Sequence, residues 1–158
     1  MDQQNPLTFA PDAARALAHF QAHPGYSVSP LHHLSLPDGT PLMAKDETGR
    51  MGLGAFKALG GPYAVARLID EAFAQSGAQD RAAFAAEQTF VTASAGNHGM
   101  GVAAGAREQG AQARIYLSET VPAAFDARLE AQRAKVMRAG ATYEESIEAA
   151  IADTEETG

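Results

Sequence analysis

Apolar positions along this chain repeat with two periods, and those periods predict most of its elements. The longest helical pattern runs from about Phe56 to Gln75, where Leu59, Tyr63, Ala66, Ile69 and Phe73 recur at helical spacing and Ser76-Gly77 ends the run. A polar lead precedes a short helix from Pro11 to Ala22, with Pro11 suited to a first helical position and Pro24-Gly25 as its stop. Asp80 to Glu87 predicts a second short, alanine-rich helix capped by its first aspartate. Leu42-Met43-Ala44, after the turn Pro37-Asp38-Gly39-Thr40, reads as a short strand. Thr89 to Ala93 is a β-branched and aromatic run, hence a strand. Ser94 to Gly99 is a tight turn, Met100 to Gln109 a helix of small residues closed by Gly110, and Ala113 to Leu117 a second strand. Pro122 to Ala139 reads as one amphipathic helix ending at Gly140, and the acidic tail from Tyr143 as a helix for part of its length that then frays.

Strand, glycine-rich turn, helix and strand in that order form a βαβ unit, whose crossover should be right-handed. The expected fold class is therefore α/β, an open, parallel-rich sheet with flanking helices. Composition sharpens this: 46% of the 158 residues are apolar, enough for a real core, but there are 15 Gly and no Trp. Small residues of this kind favour helices packed close upon a sheet. The formal charge of −7 gives no long-range attraction to a phosphate backbone, so nucleic acid is not the expected partner. With no Cys there is neither a disulfide framework nor a cysteine metal site. The first six residues, Met1-Asp2-Gln3-Gln4-Asn5-Pro6, carry no basic or apolar leader pattern, and no run is suited to a membrane, so the expected location is cytoplasmic.

Two places offer chemistry. At Ser94–Gly99 a helix begins, and its unpaired amides suit an anion such as a carboxylate or phosphate. Gly96 and Gly99 would let the backbone approach a ligand, and Ser94 and Asn97 could add side-chain hydrogen bonds. The bland alternative is an ordinary turn in which Gly and Asn supply left-handed dihedrals. Lys57 follows Leu53-Gly54-Ala55-Phe56 and precedes Ala58-Leu59-Gly60-Gly61, at a helix start. Most lysines are simply solvated. These neighbours look buried, however, and burial would lower the amine from roughly 10.4 toward the neutral form that condenses with an aldehyde. Other candidates are weaker. His32 and His33 would point opposite ways on a strand, His98 packs beside the turn, and no cluster has metal-ligand spacing. Asp46 and Glu47 read as solvated loop charges, and Glu144-Glu145 and Glu155-Glu156 as solvent-facing pairs.

Two segments together carry a family resemblance. Lys45-Asp46-Glu47-Thr48-Gly49-Arg50-Met51-Gly52-Leu53-Gly54-Ala55-Phe56-Lys57-Ala58-Leu59-Gly60-Gly61 closely resembles the lysine segment of the diaminopropionate ammonia-lyases. Those enzymes belong to the tryptophan-synthase-β group, the fold type II pyridoxal-phosphate enzymes. Thr92-Ala93-Ser94-Ala95-Gly96-Asn97-His98-Gly99-Met100-Gly101-Val102-Ala103 resembles the asparagine loop that they share with serine and threonine dehydratases. Order and separation fit as well, and the likeness runs from about Pro30 to Gly140. It implies pyridoxal 5′-phosphate as cofactor, carried on Lys57, which would then move protons at the substrate Cα. It implies Asn97 at the cofactor's phenolic oxygen and Phe56 beside its ring. Ser94, with the backbone of Ala95, Gly96 and His98, would hold the substrate carboxylate. The implied reaction is α,β-elimination on a small amino acid such as 2,3-diaminopropionate, giving pyruvate and ammonia.

Residues 1–87 would then be the lead and cofactor-lysine segment of a large domain, and 88–158 a small βαβ domain with the asparagine loop. Two departures matter. Where the diaminopropionate lyases have an aspartate before Gly-Asn-His, this chain has Ala95, the dehydratase-like form. After Gly140-Ala141 the family's next apolar strand looks shortened or lost, since Thr142-Tyr143-Glu144-Glu145 follows at once. The family's glycine-rich phosphate loop and its polar partner for the pyridine nitrogen are not found before Gly158. The expectation is thus a lyase segment, with two alternatives: a serine/threonine dehydratase-like enzyme, or a catalytically incomplete fragment. The implied partners are the amino-acid substrate and either a second copy or a complementing C-terminal portion.

Overall fold

The computed structural model describes residues 11–157; the polar lead before Pro11 and Gly158 lie outside the described residues. Helix α1 (Ala13–Gln21) is followed by the antiparallel hairpin β1 (Leu31–Ser35) and β2 (Pro41–Lys45). A single 3-10 turn at Arg50–Gly52 leads into α2 (Lys57–Ser76), α3 (Arg81–Ala86), β3 (Thr89–Ala93), α4 (Asn97–Gln109) and β4 (Gln112–Leu117). The chain closes with α5 (Ala124–Glu130), β5 (Lys135–Arg138) and α6 (Tyr143–Thr157). Strands β3, β4 and β5 form a parallel sheet in that order, Thr89 facing Gln112 and Arg114 facing Lys135. Among the described residues no helix is long and apolar enough to cross a membrane.

Alternation along β4 sets the layers. Ala113, Ile115 and Leu117 point to one face, where they join Met100, Ala103 and Ala106 of α4 and Leu129 of α5 in the main core. Tyr116 points to the other face and packs with Ala93 and with Ala150 of α6. Arg114, also on that face, reaches Asp153 of α6 at 2.5 Å. The sheet thus lies between α4 and α6, and α2 packs on the outer side of α4. Local chemistry sets the ends of these elements: Asp80 accepts the Ala82 and Ala83 amides at the start of α3, and Gly77 and Gly110 close α2 and α4 in the left-handed conformation.

Three expectations need correction. The stretch from Pro122 to Ala139 is not one helix. It turns at Ala131–Arg133, with Arg133 at φ 63°, and returns as β5 alongside β4. No glycine or proline marks that reversal, so pairing with β4 overrides a locally helical pattern. The third sheet strand therefore lies before Gly140, and no strand stands between Gly140 and α6. The tail does not fray early, since α6 extends to Thr157. Its first turn is capped by Glu145, whose carboxylate takes the Thr142 amide at 3.2 Å while the Thr142 hydroxyl takes the Glu145 amide at 3.2 Å.

Glu47 is not a free loop charge either. Its carboxylate accepts from Arg50 Nε at 2.6 Å and from the Ser29 hydroxyl at 2.6 Å. Arg50, only 7% exposed, also donates to the Ser27 carbonyl and to Ser29 Oγ, and its guanidinium lies over the Tyr26 ring. Asp46 instead holds the Thr48 amide and hydroxyl within its own turn.

Helices α2 and α4 meet backbone against backbone. A β-carbon added at Gly101 would stand 2.7 Å from the Lys57 carbonyl oxygen, and one at Gly105 would stand 2.6 Å from Pro62 Cα. One added at Gly61 would stand 2.7 Å from the Gly101 carbonyl carbon. Each helical glycine costs about 1 kcal/mol against alanine. That cost is outweighed here because a side chain would force the backbones apart.

Gly101→Ala should therefore destabilise the chain by about 1–3 kcal/mol in urea unfolding, despite its better helix propensity. Gly60→Ala, on the same helix with nothing within 4 Å of the new carbon, should stabilise it by up to about 1 kcal/mol. Equal effects at the two positions would contradict the close contact.

A second expectation concerns acid. The Arg50 hydrogen bond, then that of Ser29, draws the Glu47 carboxyl from its ordinary 4.5 down to about 2. A depressed carboxylate stabilises the fold above its unfolded value and loses that contribution as pH falls through its folded value. The difference in melting temperature between the wild type and Glu47→Gln should be widest near neutral pH and close between pH 4.5 and about 2. A gap that stays constant over that range would show the pair to be absent.

Candidate active site

Both helices of the close contact begin at the same end. Lys57 and Gly61 meet Gly101, while Pro62 and Val65 meet Gly105, so the contact advances along both chains together. Asn97 precedes Gly101 by four residues and shares its face of α4, one turn nearer the helix start. On α2 the facing stripe is Lys57, Gly61 and Val65, again four apart. Lys57 and Asn97 are thus brought to one end of one helix pair.

A groove of about 430 Å³ opens there, lined by Phe56, Lys57, Val65, Phe90, His98 and Val102 among others. Its walls are mostly apolar. Ser94 to Gly96 and Asn97 do not line it, although they adjoin His98 at the head of α4. A second groove of about 300 Å³ lies on the far side of His98, between β3 and α6, with Tyr143, Ile147 and Ile151 on its wall. Thr92 and His98 border both.

The turn itself is tightly built. Ser94 Oγ accepts the Gly96 amide at 3.3 Å, which leaves the hydroxyl proton free to donate. Gly96 is extended and begins the helix without a side-chain cap. The first amides of a helix have no intrahelical partner, so those of Asn97, His98 and Gly99 lie at the positive end of α4 with no acidic residue in its first turn. Neither Gly96, Asn97 nor Gly99 is left-handed, which removes the left-handed explanation for the turn. Gly99 is required for a different reason: a β-carbon there would collide with the Ser94 carbonyl. Ala95 packs against the main core.

One expectation fails at Lys57. The residue is exposed, as is Phe56 at 65%, so the desolvation expected of the lysine is not provided by this chain's own residues. The physical reason is that α2, β3 and α4 wall the groove on one side only. Neighbours such as Ala55 and Ala58 are buried, as the small-residue setting suggested, but neither lines the groove.

Sequence reasoning missed the parts that place the amine. Asn97-x-x-x-Gly101-x-x-x-Gly105 and Lys57-x-x-x-Gly61 are readable as facing small-residue stripes, and that spacing was the available signal. Glu47 and Arg50, three apart, gave a weaker one. Among the described residues no group of three His, Asp or Glu side chains is placed to hold a metal ion.

Pyridoxal phosphate requires an amine, an anion-holding turn and an apolar wall for its ring. The amine of Lys57 and the groove walls at Val65, Phe90 and Val102 supply the first and the third, so the residues present fit the carbonyl and the ring of the group. Comparison with known proteins agrees. The sequence pattern of the family "Pyridoxal-phosphate dependent enzyme" matches residues 22–158. Diaminopropionate ammonia-lyase of Salmonella typhimurium is 39% identical over 114 residues, 64% of this chain and 28% of that protein. The Escherichia coli (strain K12) enzyme of the same name is 36% identical over 124 residues, 73% of this chain and 31% of that protein. This chain thus spans about a third of the length of these relatives. The holo crystal structure of the Escherichia coli diaminopropionate ammonia lyase superposes with a TM-score of 0.78 at 27% identity, over 92% of this chain and 40% of that one. Threonine deaminase isoform 2 of Solanum lycopersicum, at 23% identity and a TM-score of 0.62, shares the fold over 92% of this chain and 39% of its own. By sequence and by fold, the chain belongs to the pyridoxal-phosphate-dependent enzymes.

Proposed function

We propose that this chain carries the lysine and the carboxylate-binding turn of a lyase that removes ammonia from a small amino acid such as 2,3-diaminopropionate, giving pyruvate and ammonia. The observation that carries the reading is the seating of Lys57 on Gly101, one turn from Asn97, at the shared end of α2 and α4. The division at residues 87 and 88 belongs to the same proposal, with the lysine on one side and the asparagine turn on the other.

When bound, pyridoxal phosphate supplies an electron sink that makes the substrate Cα–H acidic. The chain's own residues do the rest. Lys57 would hold the group through its Nζ and would take the proton from the substrate Cα. The substrate carboxylate sits at the head of α4, where the amides after Gly96 and the Ser94 hydroxyl donate to it. Asn97 would donate to the ring's phenolic oxygen, Phe56 would pack beside the ring, and Val65, Phe90 and Val102 would keep water from one side of it.

Ala95 favours a second reading. With an apolar residue packed into the core at that place, and no acidic residue in the first turn of α4, the turn offers no carboxyl to protonate a leaving amine. Serine and threonine, whose leaving group is a hydroxyl, are then the competing substrates. The span of about a third of the relatives' length supports a third, in which this chain acts only with a complementing portion or a second copy.

Adding pyridoxal phosphate should raise a near-visible absorbance band that Lys57→Ala abolishes, with the chain alone or together with a polypeptide supplying the rest of the relatives' length. Ser94→Ala should leave that band intact and weaken the amino acid's binding about tenfold, the worth of one hydrogen bond to a charged group. Pyruvate release from 2,3-diaminopropionate supports the first reading, and release from serine and threonine alone supports the second. A band that survives Lys57→Ala in both preparations contradicts all of them.

A further inference from the structure

We infer that Arg50 is the positioning residue for Lys57, an inference that rests on the reading of Lys57 as the cofactor lysine. Arg50 works from both ends. Its guanidinium bonds to Glu47 Oε2 at 2.6 Å, Glu47 Oε1 at 2.9 Å, Ser29 Oγ at 2.6 Å and the Ser27 carbonyl at 2.7 Å. Its face lies 5.6 Å from the centre of the Tyr26 ring. These partners tie the residue to the segment before β1 and to the end of the β1–β2 hairpin. Its backbone carbonyl accepts the Leu53 amide at 2.9 Å and the Gly54 amide at 3.3 Å, closing the turn that delivers the chain to α2.

From Gly54 to the lysine the chain has little freedom. Ala55 is buried and its carbonyl takes the Ala58 amide at 3.0 Å, while the Phe56 carbonyl takes the Leu59 amide at 3.0 Å. Lys57's own carbonyl rests against Gly101. The Lys57 amine forms no hydrogen bond or ion pair among the described residues, so its direction follows from backbone placement, fixed by Gly101 on one side and by Arg50 on the other. Met51, at φ 47°, is held left-handed without being glycine, a conformation that persists only where surrounding contacts over-determine it. Arg50 supplies those contacts. A lysine in its place could keep one bond to Glu47, but not the planar fork that reaches Glu47, Ser29 and Ser27 together.

Reductive labelling tests this with the chain's own three lysines. The full chain is incubated with pyridoxal phosphate and reduced with borohydride, and the adducts are mapped by peptide mass spectrometry. Lys135 is the reference, because it is exposed, stands on β5 and takes no part in the Arg50 network, whereas Lys45 bonds the Ser29 carbonyl within that network. The wild type should carry adduct at Lys57 in excess over Lys135. Arg50→Gln should lower that ratio about tenfold, as expected when a reacting group is misplaced by an ångström or so. Arg50→Lys should not restore it, and Glu47→Gln, a milder change, should move it the same way if Arg50→Gln fails to fold. Arg114→Gln, which removes the β4–α6 ion pair, should shift it by no more than about twofold.

Amide exchange provides the second readout. Arg50→Gln should speed exchange at Ala58 and Leu59 while Val65 to Ile69 stay protected. A wild-type excess at Lys57 that Arg50→Gln or Glu47→Gln leaves intact overturns the positioning role and spares the lysine assignment. No excess in the wild type, either alone or together with a polypeptide supplying the rest of the relatives' length, overturns the lysine assignment instead, and unchanged exchange at the start of α2 then overturns the positioning role as well.

Discussion

The structure depends on two helices touching backbone to backbone. Interaxial distance is set by whatever side chains stand at the contact, and here Gly61, Gly101 and Gly105 leave almost nothing there. That lack brings the start of α2 onto the start of α4 and turns two sequence-distant motifs into neighbours. It also explains a composition that would otherwise look wasteful. Glycines weaken each helix individually, yet the loss is recovered through a contact that no larger residue permits. The positive end of α4 and the amine of Lys57 then lie at the same end of the helix pair, and both favour an anionic, carbonyl-bearing ligand.

Placement and environment have different origins in this chain. Placement is internal: Gly101 holds Lys57 from beneath and the Arg50 turn holds it from behind, and the core of α4, β4 and α5 keeps the asparagine turn rigid. Environment is not internal. Phe56 and Leu68 stand more than half exposed on the groove, and the lysine beside them is exposed. Desolvation of the amine therefore requires a surface that these residues do not form. The relatives, of whose length this chain matches about a third, have further chain with which to form one. The placement of Lys57 beside the start of α4 is thus encoded in the segment, whereas its desolvation belongs to whatever covers it.

Much of this was legible in the sequence, and the exceptions have physical causes. The β3–α4–β4 unit could be read because alternation, a glycine turn and a small-residue helix agree at every level. The long helix α2 was readable from its period and its Gly77 stop. Strand β5 was not, because the chain reverses at Arg133 without a glycine or proline and the strand is defined by its neighbour β4. The burial of Lys57 was misjudged because small neighbours signal a close helix contact, which buries Ala58 and leaves the lysine outside it. Glu47 was misjudged because one of its two partners, Ser29, is eighteen residues away. Family resemblance supplied the roles of Lys57 and Asn97. Spacing alone supplied only the faces on which they stand.

A crystal structure of this chain soaked with pyridoxal phosphate examines the central claim most directly. The account predicts density continuous with Lys57 Nζ, lying in the groove between α2 and β3 and reaching the first turn of α4 at Asn97. Density attached to Lys45 or Lys135, or a Lys57 adduct directed away from α4, would contradict it.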